Sequence, residues 1–385
     1  MEENVLSAQP PARVTLAEVA AAAHVSMMTV SRVLNGHPGV ASDTRARVER
    51  VIADNGFVRN RAARALKRGR TGIIDLVVPH LDSAYILEIM RGVEETLGSS
   101  AFRCAVSTTQ REDRAERQAL ARIADGGSDG ALLVLARGQS SRLDHLRRRR
   151  IPVVVVDHRG ELDADTPAVG ATNWSGAYQA TTYLLSLGHR RIAHINGPGS
   201  IGCSRARRSG YHAALDAAGL SVEPAFMREA DFYREGGYQA ACALLDLPVP
   251  PTAIFAGNDM QAMGVYAALR ERDLSVPGDV SVVGFDDIPV AAMVSPPLTT
   301  VRQPLAEMGR IAAHMLLTLL DGASLPSQRV ELATALIVRG SCAAPALSRG
   351  APYGGADGAI VRALSIAGRG GTLPGEKGGM DTEGD

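Results

Sequence analysis

VTLAEVAAAAHVSMMTVSRVLN, from Val14 to Asn35, reads as two short helices joined by a tight turn. Thr15 can cap the first helix, with Glu18 three residues on, where its carboxylate reaches back to the cap amide. Leu16, Val19, Ala20 and Ala23 give that helix an apolar face at helical spacing. The chain turns through His24 and Val25, and Ser26 caps a second helix from Met27 to Leu34. Val30, Val33 and Leu34 point inward there, leaving Met27, Met28, Ser31, Arg32 and Asn35 outside. Two helices this short cannot bury a core alone. A third follows from Ser42 to Asn55, with Val48, Val51 and Ile52 inward and Gly56 as its stop. The unit is a small all-α helix-turn-helix, whose second helix has the form of a groove reader.

Amphipathic helix pairs are common, so an ordinary three-helix bundle remains the bland alternative on geometry alone. Specific residues decide between the two. The run from Val25 to Gly36 resembles the VSxxTVSRVLNG signature of the LacI/GalR family of bacterial transcription regulators, with Thr15 to Ala20 at the proper distance upstream. The resemblance implies DNA contacts from Thr15, Ser26, Met27, Met28, Thr29, Ser31, Arg32 and Asn35. His24 stands where the family usually carries glycine. A positive φ there is bearable, because histidine is among the more tolerant non-glycine residues.

The formal net charge is +0, which on its face argues against a polyanionic partner. The distribution says otherwise. Arg45, Arg47, Arg50, Arg59, Arg61, Arg64, Lys67, Arg68 and Arg70 crowd one stretch against Glu49 and Asp54 alone. Beside a helix-turn-helix, that excess is a phosphate-binding footprint rather than merely a solvated face. Residues 58–70 form a short helical stretch too polar to serve as core. In the resemblance it is a hinge helix that folds on the operator, with Asn60, Ala63 and Leu66 at DNA-contacting positions. Leu66 is the wedge that opens the central minor groove. Arg59 replaces the family's usual proline, which removes a rigid turn.

From Gly72 the texture changes. GIIDLVVP is a buried-strand run, and helices and β runs then alternate as far as VVGFD, which ends at Asp286. Alternation of this kind predicts parallel sheets with helices on both faces. There are more units than one sheet needs, so the expected architecture is two doubly wound α/β lobes around a cleft. That is also the periplasmic-binding-protein-like fold that the resemblance implies. The late segments Thr299–Pro304 and Arg329–Ser341 are expected to complete the sheets. The expected boundaries are a disordered lead-in at 1–12, a head at 13–57, a hinge at 58–70, a two-lobed effector and dimerisation domain at 71–345, and a Gly-rich disordered tail at 346–385.

Ligands of open α/β sheets collect at the carboxyl ends of strands. Asp82, Ser83 and Tyr85 follow the first strand, Asp157 closes VVVVD, and Trp174 follows VGATN. Arg207 lies after NGPG, Phe232 after a short late strand, and Asn258, Asp286 and Gln303 close or follow further runs. Carboxylates, amides, arginine and aromatic rings together suit a sugar, whose hydroxyls need paired donors and acceptors and whose CH faces need rings. Strand-end Asp and Asn also cap helices and shape turns, the reading favoured for Asp259 and Asp287. The resemblance places Arg207, Asn258, Asp286 and Gln303, with Asp157 and Phe232, at effector-contacting positions of sugar-responsive members. LDSAY, GATNW, FAGNDMQAMG and SPPLTTVRQP resemble an actinobacterial branch that includes regulators of xylan or cellulose breakdown.

Other functions fit less well. No GxGxxG opens a helix after the first strand, and neither GxxxxGK[ST] nor GxSxG occurs, so the enzyme reading has no motif behind it. Cys104, Cys203, Cys242 and Cys342 lie far apart without metal-ligand spacing, as expected of reduced thiols. No metal and no cofactor are expected. MEENVLSAQPP is acidic and polar, unlike a signal peptide, and no run is apolar enough to span a bilayer. An extracytoplasmic sugar-binding protein of the same fold is therefore set aside. The expectation is a cytoplasmic homodimer, no sustained leucine heptad being present to carry a tetramer. It represses from double-stranded operator DNA and answers a sugar or oligosaccharide, the alternatives being a nucleobase or phosphorylated metabolite as effector, or action as an activator.

Overall fold

The computed structural model describes residues 14–58, 69–110, 112–134, 140–157 and 162–346. The hinge positions Asn60, Ala63 and Leu66, the lead-in and the tail from 347 lie outside the described residues.

The head holds α1 (Leu16–Ala22), α2 (Met27–Leu34) and α3 (Ser42–Asp54). Thr15 and Glu18 form the expected capping box. The Thr15 amide donates to Glu18 Oε2 at 2.7 Å, and the Glu18 amide donates to Thr15 Oγ1 at 3.3 Å. His24 takes φ +51, the left-handed turn that the family fills with glycine. Val19, Ala20, Ala23, Val30, Val33 and Val48 form the buried centre of this unit.

The remainder is two doubly wound lobes. In the first, β1 (Ile73–Val78), β2 (Arg103–Thr108), β3 (Gly130–Val134), β4 (Val153–Val156), β5 (Ala168–Ala171) and the late β11 (Arg329–Leu332) pair in parallel, in the order β11-β5-β4-β3-β1-β2. The inner strands are apolar almost throughout because helices cover both faces. One face carries α4 (Ala84–Leu97) and the late α12 (Leu305–Leu320). The other carries α5 (Asp113–Arg122) and α6 (Ser140–Arg148).

The second lobe repeats the plan. Its strands are β6 (Ile192–Asn196), β7 (Met227–Glu229), β8 (Ala253–Ala256), β9 (Ser281–Asp286), β10 (Thr299–Arg302) and β12 (Ala335–Ile337), in the order β12-β10-β9-β8-β6-β7. All pairs are parallel except β10 with β12. On one face lie α7 (Asn173–Ser186) and α8 (Gly202–Ala217), and on the other α9 (Arg234–Leu245), α10 (Asp259–Glu271) and the single turn α11 (Val290–Met293).

Three short links cross between the lobes: Thr172 after β5, Gln303-Pro304 after β10, and Ala333-Thr334 after β11. The late extended segments thus complete the sheets, β11 in one and β10 and β12 in the other. One helix absent from the sequence reading is α12. The apolar face of its stretch LAEMGRIAAHMLLTLL lies against both the first sheet and α4. The approach to α4 is close: a Cβ on Gly309 would fall 2.2 Å from the Ile89 carbonyl oxygen, and one on Gly92 1.8 Å from that of Ala306.

Candidate DNA-contacting head and effector cleft

In the head, burial of Val30 and Val33 fixes the rotation of α2, so its opposite side faces solvent. Met27 and Met28 stand 55% and 65% exposed there, with Arg32 and Asn35 exposed beside them and Ser31 half-buried. Two adjacent, exposed methionines on a folded helix are costly in water and fit a surface kept for contact. The Ser26 hydroxyl accepts from the Thr29 amide at 3.1 Å and lies 2.9 Å from the Thr29 hydroxyl, so both side chains set the helix start. Not every arginine of the basic stretch is free for phosphate. Arg47 donates through Nε to the Ala23 carbonyl at 3.0 Å and Arg45 through Nη2 to the His37 carbonyl at 2.6 Å, tying α3 to the turn regions.

Between the lobes, strand ends deliver charged groups to one place. Asp157 follows β4 and Asp286 ends β9, and both are at least nine-tenths buried. Both take positive φ, +49 and +108, as does Asp287 at +58. Backbone held in such sparsely populated regions concentrates at functional sites, where the surroundings over-determine it. Arg207, 3% exposed on α8, anchors the C-terminal side. Its Nε donates to Asn173 Oδ1 at 2.8 Å, its Nη1 to the Gly257 carbonyl at 2.5 Å, and its Nη2 lies 3.5 Å from Asp286 Oδ1. The guanidinium carbon lies over the Phe285 ring, 3.7 Å from its centre, with the centre of the Phe232 ring 5.8 Å away. Gln303, in the second crossing link, donates through Nε2 to Asp286 Oδ1 at 2.7 Å. In the first lobe, Tyr85 donates to Asp157 Oδ2 at 2.6 Å.

Burial dominates the electrostatics. It pushes the Asp286 carboxyl up to about 7, although Arg207 and the Gln303 hydrogen bond pull the other way. Burial, reinforced by the Asp157 charge, lifts the Tyr85 phenol well above its usual range, so Tyr85 is a donor at any ordinary pH. Burial also pushes the Cys203 thiol beside them up to about 12, which removes it as a nucleophile.

Of the residues singled out from sequence, Tyr85, Asp157, Arg207, Asp286 and Gln303 converge on this network, with Phe232 at its edge. Asn258 is bonded within the protein. It caps α10, its Oδ1 accepting from the Gln261 amide at 2.8 Å while Nδ2 donates to the Phe232 carbonyl at 3.1 Å. It therefore holds the Phe232 segment in place. Asp82 is largely exposed and meets His80 Nδ1 at 2.5 Å, and Ser83 marks the start of α4 without a side-chain cap. Trp174 is 43% exposed and stacks on Tyr178 with ring centres 5.2 Å apart, and its neighbour Asn173 is the one that engages Arg207. Asn173 and Phe285 are the residues that sequence reasoning undervalued, although both sit in stretches it had quoted. Asp259 and Asp287 brace the structure as expected. Asp259 accepts from the Ile288 amide at 2.9 Å and the Thr300 hydroxyl at 2.5 Å, and Asp287 pairs with Arg302 and Arg339.

A head of three helices followed by two lobes with this crossing pattern can be compared with known proteins. The model of bacterial regulatory proteins of the lacI family matches residues 15–60, and that of a periplasmic binding protein-like domain matches residues 181–342. The ribose operon repressor of Escherichia coli K12 is 34% identical over 328 residues, spanning 85% of this chain and 99% of that one. This chain belongs to the LacI family. A second relative of this LacI-family regulator, the E. coli repressor CytR, is 33% identical over 331 residues, 85% of this chain and 96% of the relative. Among solved structures, the regulator CelR in complex with cellobiose superposes with TM-score 0.67 at 34% identity, covering 86% of this chain and all of that one. The lac repressor dimer bound to operator and the anti-inducer ONPF superposes with TM-score 0.78 at 27% identity and the same coverage. The LacI-family chain is thus a DNA-binding transcription regulator. Among its described residues no helix is long and apolar enough to cross a membrane.

Proposed function

We propose that this regulator is a cytoplasmic homodimeric repressor of carbohydrate-utilisation genes, released from a roughly palindromic operator by a sugar or oligosaccharide. In this reading the domain boundaries are those expected from sequence: lead-in 1–12, head 13–57, hinge 58–70, effector and dimerisation domain 71–345 and tail 346–385. Each recognition helix enters a major groove, Met27 and Met28 against base edges, and Leu66 of each hinge wedges the shared minor groove. The effector lies between the lobes, held by Arg207, Asp286, Gln303, Asp157 and Tyr85 with Phe232 beside its ring. Ligand in the cleft changes the angle between the lobes and hence the spacing of the hinges, so operator and sugar oppose one another through a single coupling energy.

The observation that carries the sugar reading is the composition of the buried network. Two carboxylates face one guanidinium, with a phenol and an amide beside them. A phosphorylated metabolite would bring negative charge onto Asp157 and Asp286, whereas neutral hydroxyls can donate to both. The ribose and cellobiose in the names of the relatives point the same way.

Melting curves with D-ribose, D-xylose, D-glucose, cellobiose and xylobiose test this reading. One sugar class should raise the melting temperature and release the protein from its promoter DNA. Arg207→Ala should keep operator affinity and lose roughly 1.5–3 kcal/mol of effector binding, because the effector loses a hydrogen bond from a charged donor. Undiminished induction in that variant would place the effector elsewhere.

A further inference from the structure

Beside Arg207 lies a group of buried polar atoms that the effector reading has not used. In the sheet, Ile195 of β6 pairs with Ala256 of β8, and Phe255 of β8 with Val283 of β9. Continued towards the strand ends, this register sets Asn196, Gly257 and Phe285 in one row. Gly257 and Phe285 are the two groups under Arg207: the carbonyl that its Nη1 meets and the ring that its guanidinium covers. Asn196 is therefore one strand further along the same floor. It is 2% exposed, and Ser204, three residues before Arg207 on α8, is fully buried. A Cβ on Gly197 would fall 2.1 Å from Phe232 Cζ and 2.6 Å from Ser204 Oγ, so the ring and the hydroxyl converge on that glycine.

Asn196 Oδ1, Asn196 Nδ2, Ser204 Oγ and His194 Nε2 are all buried, and none has a hydrogen-bond partner among the described residues. The Asn196 amide lies near enough to the His194 imidazole to favour its charged form, short of a hydrogen bond of good geometry. His194 stacks on Phe255 and Tyr211 with ring centres 4.7 and 5.1 Å away. Burial lowers its pKa to about 4, so the ring is neutral. Its Nδ1, 2.9 Å from the Phe255 carbonyl, must carry the proton, because a carbonyl only accepts. Nε2 is then a bare acceptor. Leaving such groups buried and unmet costs about 1–3 kcal/mol each. A cost repeated on three neighbouring side chains beside a ligand-binding arginine fits a site completed by ligand.

The set combines donors and acceptors: an amide offers both, a hydroxyl offers both, and the imidazole accepts. A carboxylate or phosphate would supply acceptors only. A hydroxyl, which donates and accepts at once, is the complement. We propose that Asn196 and Ser204 form an inner subsite beside Arg207 that reads a hydroxyl group of the effector and sets which sugar is accepted. This proposal rests on the sugar reading above and deepens it.

Asn196→Leu, close to isosteric and apolar, tests it in the full-length protein, with Ser204→Ala as a milder companion. Titration calorimetry with the five sugars named above fixes the wild-type Kd for those that bind. In Asn196→Leu that Kd should weaken about tenfold or more, while the melting temperature without sugar stays level or rises, since an unmet amide has been removed. Ser204→Ala should weaken binding in the same direction and keep operator affinity. For the sugar that binds best, one of its mono-deoxy analogues should lose affinity with wild type but lose little further with Asn196→Leu. An unchanged Kd in both variants overturns the subsite. So does a melting temperature several degrees lower at unchanged Kd, which would make the amide structural. A wild-type protein silent towards all five sugars overturns the effector reading itself, and the subsite with it.

Discussion

Asp286 shows how one residue can be legible as a participant and illegible in its state. Its position after VVGF marks it as a strand-end carboxylate, but only the folded protein shows that it is buried, carries φ +108 and lies 3.5 Å from the Arg207 guanidinium. Its pKa, raised from the unfolded carboxylate range to about 7, means the native state binds the extra proton. The associated stability is complete below the unfolded pKa and is lost as pH rises through about 7. His194 has the opposite sign. Its pKa falls from 6.5 to about 4, so its contribution is complete above 6.5 and is lost as pH falls towards 4. The two partly cancel below 6.5, leaving Asp286 the more visible above it. The ligand-free melting temperature should therefore decline from pH 6.5 to 8, and Asp286→Asn should flatten that decline. An equally steep decline in the variant would assign the proton to another group, with buried Asp259 the first to examine. Asn196 marks the limit of reading at this scale. Asparagine at a strand end is unremarkable by type, and its unmet hydrogen bonds exist only once β6, α8 and Phe232 have come together.

At the scale of elements, the sequence was most readable where periodicity and turn chemistry agreed. The capping box at Thr15, the Ser26 cap and the three head helices follow from short-range rules. The alternating runs from Gly72 gave the parallel sheets and the helices that cover them. It was least readable where an element carries no motif. In α12 a regular stripe of Leu305, Met308, Ala312, Leu316 and Leu320 opposes polar Glu307, Arg310, His314 and Thr318, but no motif draws attention to it, and its role appears only against α4 and the first sheet. Gly92 and Gly309 let those two helices touch backbone to backbone. Gly309→Ala should be destabilising despite alanine's better helix propensity, because a methyl 2.2 Å from the Ile89 carbonyl oxygen forces the helices apart. Overpacking of this kind typically costs about 1–3 kcal/mol. Gly170→Ala, where an added Cβ meets nothing within 4 Å, is the control. Equal melting temperatures for the two variants would show that the α4–α12 contact relaxes freely.

For the whole molecule, two lobes were legible from the number of strand-helix units, but their attachment was not. Ile288 leaves the end of β9 in the second lobe, yet it is 4% exposed within the apolar cluster of the first, among Tyr85, Ile86 and Leu305, with Met260 and Val290 packed alongside. The Asp259 carboxylate holds the Ile288 amide and so fixes the loop that presents it. This apolar contact bridges the lobes close to Tyr85, on the rim of the effector network. Ile288→Asn should loosen it without unfolding either sheet. Small-angle scattering of the ligand-free protein should then give a larger radius of gyration, and sugar affinity should fall as closure becomes harder. Scattering and affinity both unchanged would show that the crossing links alone set the lobe arrangement.

The three crossing links also govern how the protein is made. The first lobe is not a continuous length of chain: its strands β1 to β5 end at Ala171, but α12 and β11, which complete its core and its sheet edge, run from Leu305 to Leu332. A ribosome adding about 5–20 residues per second needs several more seconds at least to pass from the one to the other. During that interval the surface awaiting α12, including Leu132, Val134, Val154 and Val156, lacks its native cover. The second lobe waits in the same way for β12. Maturation of both lobes is thus held back until the same late stretch emerges. Nascent chains stalled before Leu305 are the species on which chaperone binding and aggregation should concentrate.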